Sequence, residues 1–143
     1  MIGKCLCGDV QFEIEGEIPN LLQCHCSLCR KQSGSSANAS TFVHESKFTW
    51  TSGQNNVSHY KKDTGFSSSF CAKCGSPVPN QLGSTDKYWV PAGLLENEED
   101  LEIVVHIYTQ SKASWEEIPS SGKHFEEMPD IELLNKALQR TSR

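Results

Sequence analysis

The sequence predicts a mainly β domain held together in part by metal-binding cysteines. Three observations carry that expectation. Short strand-like runs are separated by clusters of Gly, Pro, Asn and Ser. Helical periodicity is confined to two short segments. Seven of the 143 residues are cysteine, and they fall in tight groups.

The elements follow in chain order. Val10-Gln11-Phe12-Glu13-Ile14-Glu15 alternates apolar and polar residues, the pattern of a half-buried strand. A short helix is expected over residues 27–32, beginning among the cysteines. Phe48 and Trp50 mark another strand, followed by a turn at 53–56. Further strands are expected at 66–70, 88–92 and 103–108, the last holding Val104, Val105 and Ile107. Residues 96–100 form an acidic run, read as a solvated loop. The tail from 130 to 140 reads as a helix docked on a sheet. Ile131, Leu134 and Leu138 share a face. Glu126, Glu127, Asp130 and Glu132 lie at or before its start, and Lys136 and Arg140 near its end, an order that complements the helix dipole.

Charge and composition exclude several functions. Thirteen basic side chains against 18 acidic ones give a net charge of -5, which disfavours a broad phosphate-binding surface, so no nucleic-acid partner is expected. No run approaches the ~18 apolar residues of a membrane span. The start, Met1-Ile2-Gly3-Lys4-Cys5, has no apolar signal-like stretch, and the expectation is a cytoplasmic protein with reduced thiols.

Reduced thiols in close sets suit metal better than disulfides. The groups are Cys5 and Cys7, then Cys24, Cys26 and Cys29, then Cys71 and Cys74. Two thiolates leaving one short turn converge on a zinc at about 2.3 Å, whereas neighbouring cysteines would close strained rings as disulfides. Gly8 follows Cys7 and Gly75 follows Cys74. Glycine at that place supplies the positive φ that turns backbone N–H groups toward sulfur. Seven ligands divide as four and three, a closed site and an open one. The triplet is local enough to hold an ion alone, leaving Cys5, Cys7, Cys71 and Cys74 for the closed site. Spacing equally allows Cys5 and Cys7 to join two cysteines of the triplet.

Longer motifs carry a resemblance. Cys5-Leu6-Cys7-Gly8 precedes Val10 and Phe12; Cys24-His25-Cys26-Ser27-Leu28-Cys29-Arg30-Lys31 precedes Gly34. Phe70-Cys71-Ala72-Lys73-Cys74-Gly75-Ser76-Pro77, Ala92-Gly93, His106-Ile107-Tyr108 and Ser111-Lys112-Ala113-Ser114-Trp115 follow in order. Over residues 1–129 the chain resembles the glutathione-dependent formaldehyde-activating enzyme family, also called the centromere protein V domain family. Position 68, where the family often carries arginine, is Ser68, and the family's acidic-Gly-Leu-Pro run is replaced by Pro119-Ser120-Ser121-Gly122-Lys123.

The resemblance implies coiled β-sheets of the RabGEF-like zinc fold, the mammalian-suppressor-of-Sec type, over residues 1–129, with residues 130–143 as a helical tail. It implies two zincs per chain, a structural one on Cys5, Cys7, Cys71 and Cys74 and an exchangeable one on Cys24, Cys26 and Cys29. It also implies a carbon–sulfur lyase that joins glutathione to formaldehyde as S-(hydroxymethyl)glutathione. Zinc on three thiolates is a weak Lewis acid and suits an incoming thiol better than a water nucleophile. Arg30 and Lys31 are candidates to attract the carboxylates of a glutathione-like ligand. His25, between two ligands, points away from the metal toward packing or the surface, while His106 and Trp115 are expected in the core. The alternative is a non-catalytic zinc module that binds proteins. An iron–sulfur role fits less well, because a cluster usually takes four cysteines.

Overall fold

A computed structural model describes residues 1–96 and 100–140. In chain order the strands are β1 (Ile2–Lys4), β2 (Gln11–Ile14), β3 (Leu21–Cys24), β4 (Asn38–His44), β5 (Phe48–Ser52) and β6 (Val57–Lys61). They continue as β7 (Ser67–Cys71), β8 (Asn80–Gln81), β9 (Lys87–Pro91), β10 (Ile103–Ile107) and β11 (Lys123–His124). The helices are α1 (Ser27–Ser33) and α2 (Ile131–Leu138). The protein is thus mainly β with a C-terminal helix. The expected loop at 96–100 falls largely on residues 97–99, outside the described residues, as does the end of the tail at 141–143.

The chain divides into two compact units, Met1–Ile18 with Phe42–Glu99, and Pro19–Thr41 with Asp100–Arg143. In the first, β1, β2 and β5 form an antiparallel sheet, and β6 pairs with β7 as β8 does with β9. The alternation read at residues 10–15 is realised: Val10, Phe12 and Ile14 are buried and Glu13 is exposed. Phe12 stacks on Phe48 at 5.5 Å, Phe48 on Tyr88 at 4.1 Å, and Trp50 meets Phe48 edge-on at 4.9 Å.

This aromatic stack dictates glycine at position 3. Gly3 lies opposite Phe12 in the β1–β2 register, and a Cβ there would sit 2.1 Å from Phe12 Cζ. The ring is fully buried between its neighbours and has nowhere to go. Gly3→Ala is therefore expected to lower stability by about 1–3 kcal/mol, the usual range for overpacking, read as a lower urea midpoint with unchanged slope.

In the second unit, β3, β10 and β11 run parallel and β4 pairs antiparallel with β3. The inner part of β10 is buried at Val105, His106 and Ile107, as expected for a parallel strand covered on both faces. Helix α2 packs against β10 and buries Leu134 and Leu138. The Asp130 carboxylate caps it, accepting from the backbone N–H of Glu132 at 2.9 Å and of Leu133 at 3.4 Å. Ile131 departs from the predicted buried face and is mostly exposed, because it is the first helical residue and lies beyond the docked stripe. Strands β3 and β4 were not among the predicted strands, and in β4 the polar residues Ser40 and Thr41 are fully buried. Among the described residues no helix is long and apolar enough to cross a membrane.

Candidate metal centres

The first centre is built by two matching turns. Cys5 and Cys7 follow β1; Cys71 ends β7 and Cys74 follows it. The glycine after each second cysteine has φ 81°, in the left-handed region. Gly8 N–H bonds back to Cys5 C=O at 3.0 Å, and Gly75 N–H to Cys71 C=O at 2.7 Å. Beyond each glycine the next backbone N–H, of Asp9 or of Ser76, points at the sulfur of Cys7 or of Cys74. Leu6 N–H donates to Ser76 Oγ at 3.0 Å, tying the turns together. The Asp9 carboxylate adds a second tie, accepting from Asn56 at 2.6 Å and from Lys73 at 3.1 Å. Asn56, and then Lys73, hold that carboxyl below the usual carboxylate range.

The four sulfurs lie within 4.8 Å of one another, Cys5 to Cys7 at 3.6 Å and Cys7 to Cys71 at 3.8 Å. Ligands about 2.3 Å from a tetrahedral zinc are separated by about 3.8 Å, so the donor set fits such an ion. The fold gathers these four and leaves the triplet together in the other unit, the division the spacing had left open. Cys74 is held down to about 5 by the Ser76 hydroxyl and then its backbone N–H. Cys7 is pushed up to about 12: the Asp9 N–H lowers it, but burial and the neighbouring thiols outweigh that donor.

The second centre grows from a strand running into a helix. Cys24 ends β3, Cys26 is the N-cap of α1, and Cys29 is buried in its first turn. Cys26 Sγ accepts the Cys29 backbone N–H at 3.3 Å, and Cys24 Sγ lies 3.5 Å from Cys26 Sγ. All three sulfurs are within 4.8 Å of one another. Thiols of Cys24 and Cys29, with backbone N–H groups behind them, pull Cys26 down to about 2. The same shared hydrogen bonds push Cys24 up to about 11, and Cys29 is raised likewise by Cys24 and Cys26. A divalent ion would displace the protons these thiols retain.

His25 packs inside the second unit. Its ring is fully buried, Nδ1 2.6 Å from a Glu116 carboxylate oxygen and Nε2 3.0 Å from His106 Nδ1. His106 is the core histidine expected, held below its ordinary value by burial and then by His25 and His124. Trp115 is not in the core: it is 70 % exposed. The turn closed by Glu116 N–H on Ala113 C=O sends Ala113 and Glu116 inward and the intervening ring outward. Glu116 itself carries no local signal in the sequence, being 91 residues from His25. Tyr108 was also missed as a site residue. It holds a left-handed backbone, φ 56°, and burial, then the sulfurs of Cys24 and Cys26, push its hydroxyl upward. Arg30 is half-buried, with Nη2 3.5 Å from Ser111 C=O and Nε buried without a partner; Lys31 is exposed.

The chain is mainly β and carries a four-sulfur and a three-sulfur cluster, each of which could hold a metal ion. The model of the glutathione-dependent formaldehyde-activating enzyme family matches residues 1–111, which include all seven cysteines, and the chain belongs to that family. The chain is similar to a Rhodobacter sphaeroides protein of known crystal structure, at 28 % identity and a TM-score of 0.57, over 68 % of this chain and 89 % of that one. No curated protein matches the chain.

Proposed function

We propose that the protein is a zinc-dependent carbon–sulfur lyase that makes or breaks the adduct of formaldehyde with a small thiol such as glutathione. The observation that carries this reading is the three-sulfur cluster, which supplies three of the four ligands of a tetrahedral ion. Cys24, Cys26 and Cys29 hold the exchangeable zinc, and Cys5, Cys7, Cys71 and Cys74 hold a structural one. Zinc at the triplet supplies a place where a substrate thiol loses its proton yet stays nucleophilic. In the reaction the thiol sulfur attacks the aldehyde carbon and a C–S bond forms. The C=O π pair moves to oxygen, which takes up the proton the thiol lost; the reverse reaction breaks the C–S bond. No electrons are gained or lost overall.

The chain's own residues bind and orient. Arg30, with its unpaired Nε, and Lys31 attract the carboxylates of the thiol on an otherwise acidic protein. The buried His25–Glu116 contact fixes the backbone between Cys24 and Cys26. We assign this activity to residues 1–129 of a cytoplasmic enzyme, with 130–143 as its tail.

The test is metal content with turnover. Purified protein should hold two zincs per chain, one of them lost to a chelator or to excess glutathione, and should accelerate formation of S-(hydroxymethyl)glutathione. A single tightly held zinc, freely alkylated Cys24, Cys26 and Cys29, and no turnover would instead indicate a non-catalytic binding module.

A further inference from the structure

Buried polar atoms normally find a hydrogen-bond partner, and those that do not call for an explanation. Among the described residues three buried side-chain atoms have none: Arg30 Nε, Asn38 Oδ1 and Ser40 Oγ. All three belong to the unit that holds the triplet. Asn38 faces it across the β3–β4 pair. In the antiparallel register of β3 and β4 it lies directly opposite Cys24, and Ser40 lies opposite Leu22, two residues along. Residues opposite one another in such a pair direct their side chains to the same face, with Cβ atoms about 5 Å apart. The Asn38 side chain therefore flanks the sulfur that ends β3.

The orientation of the amide is set by a neighbour. Asn38 Nδ2 donates to Gln32 Oε1 at 3.0 Å, and Gln32 lies on α1, the helix that carries Cys29. The end left unpaired is thus the carbonyl, an acceptor, on a residue only 8 % exposed. An acceptor does nothing to stabilise three thiolates, which need donors. It needs a donor from elsewhere. Among the species of the proposed reaction, formaldehyde has no donor and the thiol gives up its proton as it reacts. The adduct alone carries a hydroxyl at the reacting carbon.

We infer that Asn38 Oδ1 is the hydroxyl-recognition point of this site, accepting a hydrogen bond from the O–H of an S-hydroxymethyl adduct. The inference rests on the functional reading above and names the feature by which the site tells adduct from free thiol. An acceptor holds the protonated oxygen and not an oxyanion, so the contact acts on the affinity for the adduct.

The holoprotein provides the test. Wild type should bind S-(hydroxymethyl)glutathione about tenfold more tightly than S-methylglutathione, which lacks only the hydroxyl. In Asn38→Leu that preference should vanish, the KM for the adduct rising about tenfold while the dissociation constant of glutathione keeps its wild-type value. The variant should stay folded, because removal of an unsatisfied buried acceptor offsets the lost bond to Gln32. Equal affinity of wild type for the two ligands overturns the inference without any variant. So does a variant that retains the preference, or one that loses glutathione and adduct affinity in equal measure. Absence of both thiol binding and turnover in wild type removes the functional reading and the inference together, whereas turnover without the hydroxyl preference removes the inference alone.

Discussion

Cys71→Ser is expected to unfold the unit formed by Met1–Ile18 and Phe42–Glu99, even in excess zinc. Cys71 is fully buried and belongs to a small core with Cys5, Val10 and Val78, flanked by Trp50, Val57 and Leu94. Cysteines of the four-sulfur cluster are part of this core. Serine is a poor ligand for zinc, and three sulfurs would be left where four stood. Binding at a closed cysteine site contributes about 10–16 kcal/mol to folding, against a net stability of about 5–15 kcal/mol for a whole domain. Loss of even half of the metal term leaves little. The site also joins residue 5 to residue 71, so its loss frees a long loop. Far-ultraviolet circular dichroism and Trp50 emission should both report the change, and prolonged chelation of wild type should reproduce it. A variant that keeps a cooperative transition near the wild-type midpoint would show that the four-sulfur cluster does not hold this unit together.

Which features the sequence revealed follows from the range of the forces involved. Strand β2 was legible because Val10, Phe12 and Ile14 bury one face of a chain whose period is two residues. The turns at Cys7 and Cys74 were legible because φ 81° is a local demand that glycine answers locally. The close cysteine sets were legible for the same reason, since each leaves one short turn, but which sets meet in the fold was not. The features that escaped depend on distant partners. His25 finds Glu116 across 91 residues and His106 across 81, and neither residue announces the pairing. Strand β4 is buried through polar Asn38, Ser40 and Thr41, the reverse of the pattern by which a buried strand is recognised. Trp115 was placed in the core on its size, but a turn of four residues decided its direction.

Cys26→Ser should separate folding from activity at the other centre. Cys26 is the N-cap of α1, and its sulfur accepts the Cys29 backbone N–H. Serine is among the best N-cap residues, so the helix start should survive the exchange. The sulfur is only partly buried, unlike those of Cys24 and Cys29, so little packing is lost. Its chemistry is lost entirely. The thiols of Cys24 and Cys29 draw the Cys26 thiol down, and a serine hydroxyl cannot supply a thiolate there. Two thiolates remain, too few for a firmly held zinc. The variant should therefore carry one zinc per chain in place of two, melt within about 3 °C of wild type as an exposed-site change of under about 0.5 kcal/mol would, and lose turnover by more than about 100-fold, the upper end for losing a mere supporting partner of a metal ligand. Cys24→Ser should lose the same zinc and also melt lower, because its sulfur is buried at the end of β3. If Cys26→Ser keeps its second zinc, or turns over within tenfold of wild type, the chemistry does not run through the triplet. Metal stoichiometry, melting and turnover on the same preparation distinguish these outcomes, since a misfolded variant fails all three and a catalytic one fails only two.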